Sequence, residues 1–167
     1  MPADSHGEEA GAATPLRAPC ALGPLALRVP VPAGMVLAAA PETCVLADEE
    51  REGSVLVLTA FGPEDPRTPQ LRQRPDAVVG DLALLRSPRR VASATTRLLG
   101  RGVPATGWRA DVPPFGRRDV MSFAADALVA EGLYAVLALV VTPPGDVEAR
   151  RSLLALAATI EGPRPPR

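Results

Sequence analysis

At 167 residues the chain has room for one domain with a proper core and is too short for two. Apolar residues make up 47% and charged residues 22%, the balance of a soluble globular protein, while a formal net charge of −1 argues against a nucleic-acid binder. One histidine and two cysteines exclude a histidine–cysteine metal cage, and with no lysine present there is no Schiff-base, P-loop or lysine-base chemistry.

Residues 1–22 are rich in Ala, Gly, Pro and acid and show no apolar period, so they are expected to form an unstructured tail. Their early charges, Asp4, Glu8 and Glu9, are acidic, and no basic stretch leads into an apolar one, which speaks against a secretory signal. The longest apolar stretch, near Tyr134 to Val141, is about half of what a membrane span requires. These readings place the protein in the cytoplasm, with Cys20 and Cys44 expected as free thiols, their pairing as the alternative, and Cys44 as a small core residue.

One domain is expected over residues 23–161. Segment 25–31 (LALRVPV) alternates around Arg28 and reads as a strand that Pro30 pushes to a sheet edge. Pro32-Ala33-Gly34 turns the chain. Thr43 to Ala47 is a short strand closed by the acidic turn Asp48 to Glu52. Ser54 to Phe61 is apolar on both faces, with Val55, Val57, Thr59 and Phe61 on one and Leu56, Leu58 and Ala60 on the other, which suits a central strand. Prolines 63, 66, 69 and 75 argue against any regular element over 62–75. Val78, Val79, Leu82 and Leu85 then make a helical stripe between Pro75 and Pro88.

Val91 to Leu98 reads as a strand, Gly100 to Ala105 as a turn, and Thr106 to Val112 as the next strand. Asp119 to Val129 and Leu133 to Thr142 form a hairpin in which Gly132 is free to take positive φ. Asp146 caps a last helix whose apolar face holds Val147, Leu153, Leu154, Leu156, Ala157 and Ile160, and which Gly162 can end. Residues 162–167 (GPRPPR) are an extended tail. The order points to an α+β fold: a mostly antiparallel sheet of about six strands flanked by two helices.

Little in this chain can do chemistry. His6, the sole histidine, lies in the expected tail, where no general base can be held against its proton. The cluster Asp48-Glu49-Glu50 with Glu52 reads as a solvated turn. Asp119 and Asp126 are seven residues apart and so on opposite faces of a strand; Asp126 either faces solvent or meets an arginine. Gly100-Arg101-Gly102 lacks the third glycine of a dinucleotide fingerprint. Trp108 and Phe115 bracket a proline-rich loop beside Arg117 and Arg118. An aromatic pair next to arginines is a reasonable binding anchor, and filling the small core is an equally good use of Trp108.

Three segments resemble the DcrB-related and PsbP/Mog1-like domains. They are V-P-V-P-A-G-M (Val29 to Met35), G-R-G-V-P-A (Gly100 to Ala105), and the apolar run Tyr134 to Thr142 followed by a helix ending in A-x-x-I (Ala157 to Ile160). The likeness spans about residues 25–161; Met35 replaces an aromatic usual in the family, and the lipoprotein signal of its exported members is not read in the N-terminal segment. The resemblance implies an α/β/α sandwich without a catalytic centre. Its cytoplasmic members include chaperones for secreted toxins, and its exported members include photosystem subunits and envelope lipoproteins. It supplies no functional residues to carry over.

The sequence therefore leads to a non-enzymatic protein-binding module, an adaptor or chaperone for a secreted effector, without cofactor, metal or nucleic acid, with a homodimer as one form. Its contact residues are expected to be Trp108, Phe115, Arg117, Arg118 and Phe61. A small-ligand carrier or enzyme with a pocket near Trp108, and a structural subunit of a larger particle, are the alternatives.

Overall fold

Along the chain, the computed structural model, which describes residues 16–40 and 42–163, contains strands β1 (Leu16–Leu22), β2 (Leu25–Val31), β3 (Met35–Ala40), β4 (Thr43–Asp48) and β5 (Val55–Phe61). Helices α1 (Arg67–Gln73) and α2 (Pro75–Gly80) follow, then β6 (Arg86–Leu98), β7 (Arg101–Val112), β8 (Gly116–Val129) and β9 (Gly132–Thr142), and finally helix α3 (Val147–Ala158). Seven strands form one antiparallel sheet in the order β3-β4-β5-β9-β8-β7-β6, and β1 and β2 pair separately. Strand β9 is buried without a break from Ala135 to Thr142, which is why it sits at the centre between β5 and β8.

The two faces of that sheet carry different covers. Leu56, Leu58, Phe123, Val136, Ala138 and Val140 pack against the β1–β2 hairpin (Leu22, Leu25, Leu27, Val29) and against Leu153 and Ala157 of α3. Phe61, Trp108, Val120, Leu137, Leu139 and Val141 pack against Leu71 of α1 and Val78 and Val79 of α2. A mostly antiparallel sheet with helices on both faces is thus the architecture, with seven strands in its main sheet.

Several local expectations hold. The β8–β9 hairpin turns at Ala130-Glu131, with Val129 opposite Gly132 at φ 133°, and a Cβ there would lie 2.8 Å from Pro63 Cγ. Asp146 caps α3 by accepting the Ala149 N–H at 3.0 Å, and Arg51 bonds both of its carboxylate oxygens at 3.1 Å, tying the 48–53 turn to this helix. The helix ends at Thr159, before Gly162, and Val147 is exposed and so not part of its packed face.

Other expectations are corrected. Leu16 to Leu22, assigned to the tail, is strand β1: Cys20 and Leu22 point inward at a period of two that the Ala- and Pro-rich composition hides. Residues 1–15, with His6, and 164–167 lie outside the described residues. Cys20 and Cys44 are not free thiols but form a disulfide across 24 residues, joining β1 to β4 inside the core. Prolines did not prevent α1: Pro66 is its N-cap and Pro69 stands in the first turn, where no backbone donor is needed. The helix beginning at Pro75 is only six residues long, and the chain reaches β6 already at Arg86. Of the supposed 100–105 turn, only Gly100 lies in the turn; Arg101 to Ala105 belong to β7.

Candidate functional site

The chemistry-bearing residues are dispersed. Asp119 and Asp126 stand on opposite faces of β8: Asp119 accepts from Gly145 N at 2.9 Å and Arg109 Nε at 3.4 Å, and Asp126 pairs with Arg72 Nε at 3.0 Å. Asp48 accepts the Glu50 N–H at 2.9 Å in a turn whose glutamates are exposed. Among the described residues no group of three or more His, Cys, Asp or Glu side chains could hold a metal ion.

The five residues expected to form a contact surface do not make an exposed one. Trp108 is 6% exposed, and its Nε1–H donates to Ser122 Oγ at 2.8 Å. It is a core residue, as is Phe61, which carries the Arg67 guanidinium 4.5 Å above its ring. Neither is free to anchor a partner. Phe115 is partly buried against the same core, with Arg118 5.5 Å over its ring, and Arg117 is exposed beside them. Asp65 sits in the turn before α1, and hydrogen bonds from the Arg67 side chain and then its backbone N–H hold the carboxyl below the usual carboxylate range.

Two other places are open. The first is a cavity of about 450 Å³ between the α1–α2 pair and strands β7 to β9, floored by Val79, Ala124, Ala135 and Leu137. Ion pairs stand at its rim, Arg72 with Asp126 and Asp76 with Arg90 at 2.8 Å, and Thr106 Oγ1 donates to Asp76 Oδ1 at 2.8 Å. Ser122 lines this cavity; its oxygen is occupied by Trp108, while no acceptor among the described residues takes its proton.

The second is β6. As the last strand of the sheet it bonds β7 on one side, so its other row of backbone donors and acceptors faces outward. A strand covered on one face buries alternate residues, yet none of residues 86–97 is buried. Among the described residues its outer edge is uncovered and most of its side chains are exposed. Beside it, between the sheet and α3, lies a groove of about 290 Å³ lined by Val91, Ala92, Ala94, Gly107, Met121 and Leu154, with Arg109, Asp119 and Arg150 around it. Val91 is 47% exposed. The opposite edge, β3, is shorter and uncharged, with Val36 46% exposed.

This architecture is shared. The fold matches that of LpqN. Over 89% of this chain and 91% of that one, the crystal structure of LpqN, involved in cell envelope biogenesis of Mycobacterium tuberculosis, aligns with a TM-score of 0.58 at 13% sequence identity. The solution structure of cyanobacterial PsbP (CyanoP) from Synechocystis sp. PCC 6803 aligns over 81% and 85% with a TM-score of 0.46 at 15% identity. No family model and no curated protein matches the sequence. At such identity the likeness concerns the backbone arrangement, and the site has to be argued from this chain's own residues.

The sequence held a sign of the open edge. Around residues 91–98, Ser93 and Thr95 alternate with Ala92 and Ala94, so neither face offers the large side chains that packing against a core requires.

Proposed function

We propose that the protein is a non-enzymatic binding module that takes an extended segment of a partner protein as an added strand along β6. What supports this reading is the open edge of a 13-residue strand, of which Ala92 to Leu98 pair with β7 without a break and residues 86–91 pair with irregularities at 87–88 and 91, with an apolar groove running beside it. Added-strand binding draws affinity from main-chain hydrogen bonds and selectivity from side-chain pockets, and β6 with its groove offers both. An adaptor or chaperone role for another protein is in keeping with it. The test is a selection of displayed peptides on the immobilised protein, followed by amide-exchange mapping of the winners. Protection over residues 86–98 is expected; protection confined to other segments sinks the proposal.

The Cys20–Cys44 bond supports an oxidising compartment rather than the cytoplasm, because such bonds persist where thiols are not kept reduced. Thiol alkylation and mass measurement of the protein taken from its native cell should find both cysteines blocked. Free thiols would return it to the cytoplasm.

A second reading, a small-ligand carrier, is favoured by the 450 Å³ cavity and the unspent Ser122 proton beside Trp108. A thermal-shift screen of small hydrogen-bond acceptors, repeated on Ser122→Ala, separates it from the first: a hit lost in the variant supports it, and an empty screen removes it.

A further inference from the structure

Resting on the edge-strand reading, we infer that the segment accepted by β6 is acidic. Strand β6 carries Arg86, Arg89, Arg90 and Arg97 and no carboxylate. Arg90 is taken up by Asp76, Arg97 donates to the Gly100 carbonyl and Arg86 stands across from Asp111, whereas Arg89 has neither an ion-pair partner among the described residues nor an acid opposite it. The register sharpens the imbalance. Arg89 stands directly across from Arg109, and Arg109 in turn stands across from Asp119. Like charges opposite one another destabilise a strand pair. Asp119 compensates Arg109 from the inner side, but among the described residues nothing does so for Arg89 on the outer side. A carboxylate on an incoming strand would fill that place, so that the Arg109–Arg89 pair has an acid on each side.

The same arginines exclude a second β6 as the occupant. Antiparallel self-pairing centred on Ser93 sets Arg89 against Arg97, and any other register of β6 on itself still offers no acid to any arginine. A nucleic acid would meet the charge but not the surface. No aromatic ring lies on β6, and on the neighbouring β7 the single tryptophan is buried with its N–H spent on Ser122. What remains is a protein segment in extended conformation that carries Asp or Glu to meet Arg89, with apolar side chains for Val91 and the groove beside it.

Fluorescein-labelled peptides of about ten residues, long enough to run beside most of β6, test this. One alternates Val with Glu, one Val with Gln and one Val with Lys; binding is read by anisotropy at low and physiological salt and located by amide exchange. The Glu peptide is expected to bind about ten-fold or more tighter than the Gln peptide, with weakening in salt and protection of β6. Arg89→Glu should cancel that preference and Arg89→Gln should reduce it, while Val36→Lys on the far edge should leave it unchanged; melting curves check that each variant is folded. Equal binding of the Glu and Gln peptides with β6 protected overturns the acidic inference and leaves the edge reading standing. Absence of binding by all three, with β6 exchanging freely, overturns both. An oligouridylate that binds more tightly than the Glu peptide overturns the choice of a protein partner.

Discussion

Trp108 shows how one residue can be read two ways until its neighbours are known. In sequence it stands beside a proline-rich loop and arginines; in space its ring fills the core under α1–α2, and its N–H finds Ser122 on the neighbouring strand, fourteen positions along the chain. Ser122→Ala leaves that indole N–H buried without an acceptor, which should cost about 1–3 kcal/mol. Trp108→Ala removes most of the ring's packing and should cost about 3–5 kcal/mol. Denaturant titration checks both, the first by the fluorescence of the single tryptophan and the second by circular dichroism. Asp65 and Arg67 give a pH-dependent counterpart. The Asp65 pKa is lowered in the folded protein, chiefly by the hydrogen bond from the Arg67 side chain. The stability it contributes is therefore complete above the unfolded carboxylate value near about 4 and is lost as pH falls through the lowered folded value. Asp65→Asn should reduce stability at neutral pH by about 0.2–1 kcal/mol, as befits a partly exposed pair, and the difference from the parent should vanish in acid. Melting temperatures across a pH series check the sign.

Elements with strong local signals were legible, and those defined by distant partners were not. Central strands β5 and β9, the β8–β9 hairpin and the capped start of α3 follow from alternation, uninterrupted apolarity, Gly132 and Asp146. Strand β1 has a weaker pattern of its own and owes its place to Leu25, Leu27 and Val29 on β2, which it joins in covering the sheet. Helix α1 was hidden by prolines that turn out to occupy its first turn. The Cys20–Cys44 bond depends on β1 being present, so a reading that left β1 in a tail could not bring the two sulfurs together. That bond fastens the β1–β2 hairpin to β4, and closing a loop of this length is worth about 3.5 kcal/mol in the chain-entropy account. Replacing both cysteines by Ala should lower the unfolding free energy by about that much. The hairpin should also become the first element to exchange its amides, because it is otherwise held by apolar packing and by Arg17 and Arg28, which bind Thr159 and Glu161 just after α3. Native-state hydrogen exchange of the reduced protein checks the order of opening.

On the scale of the whole molecule, the open sheet leaves two edges, and charge distinguishes them. Strand β3 is six residues long and carries no charge before its turn; β6 is 13 residues long and holds four arginines in a chain whose total charge is nearly balanced. An exposed edge of that length invites pairing with any other exposed strand, and like charge along it is a recognised way of preventing edge-to-edge association of identical chains. The arginines thus have two consequences from one cause: they repel a second β6 and attract a carboxylate-bearing one. The two consequences separate by mutation. Replacing Arg86, Arg89 and Arg97 by Thr keeps strand propensity and removes the repulsion, so this variant should self-associate with rising concentration where the parent does not. Sedimentation velocity over a concentration series checks it, and amide exchange of the associated form should show protection in β6. Association that instead survives in the parent at high salt and disappears with Val36→Lys would place self-pairing at β3 and leave β6 free for its partner.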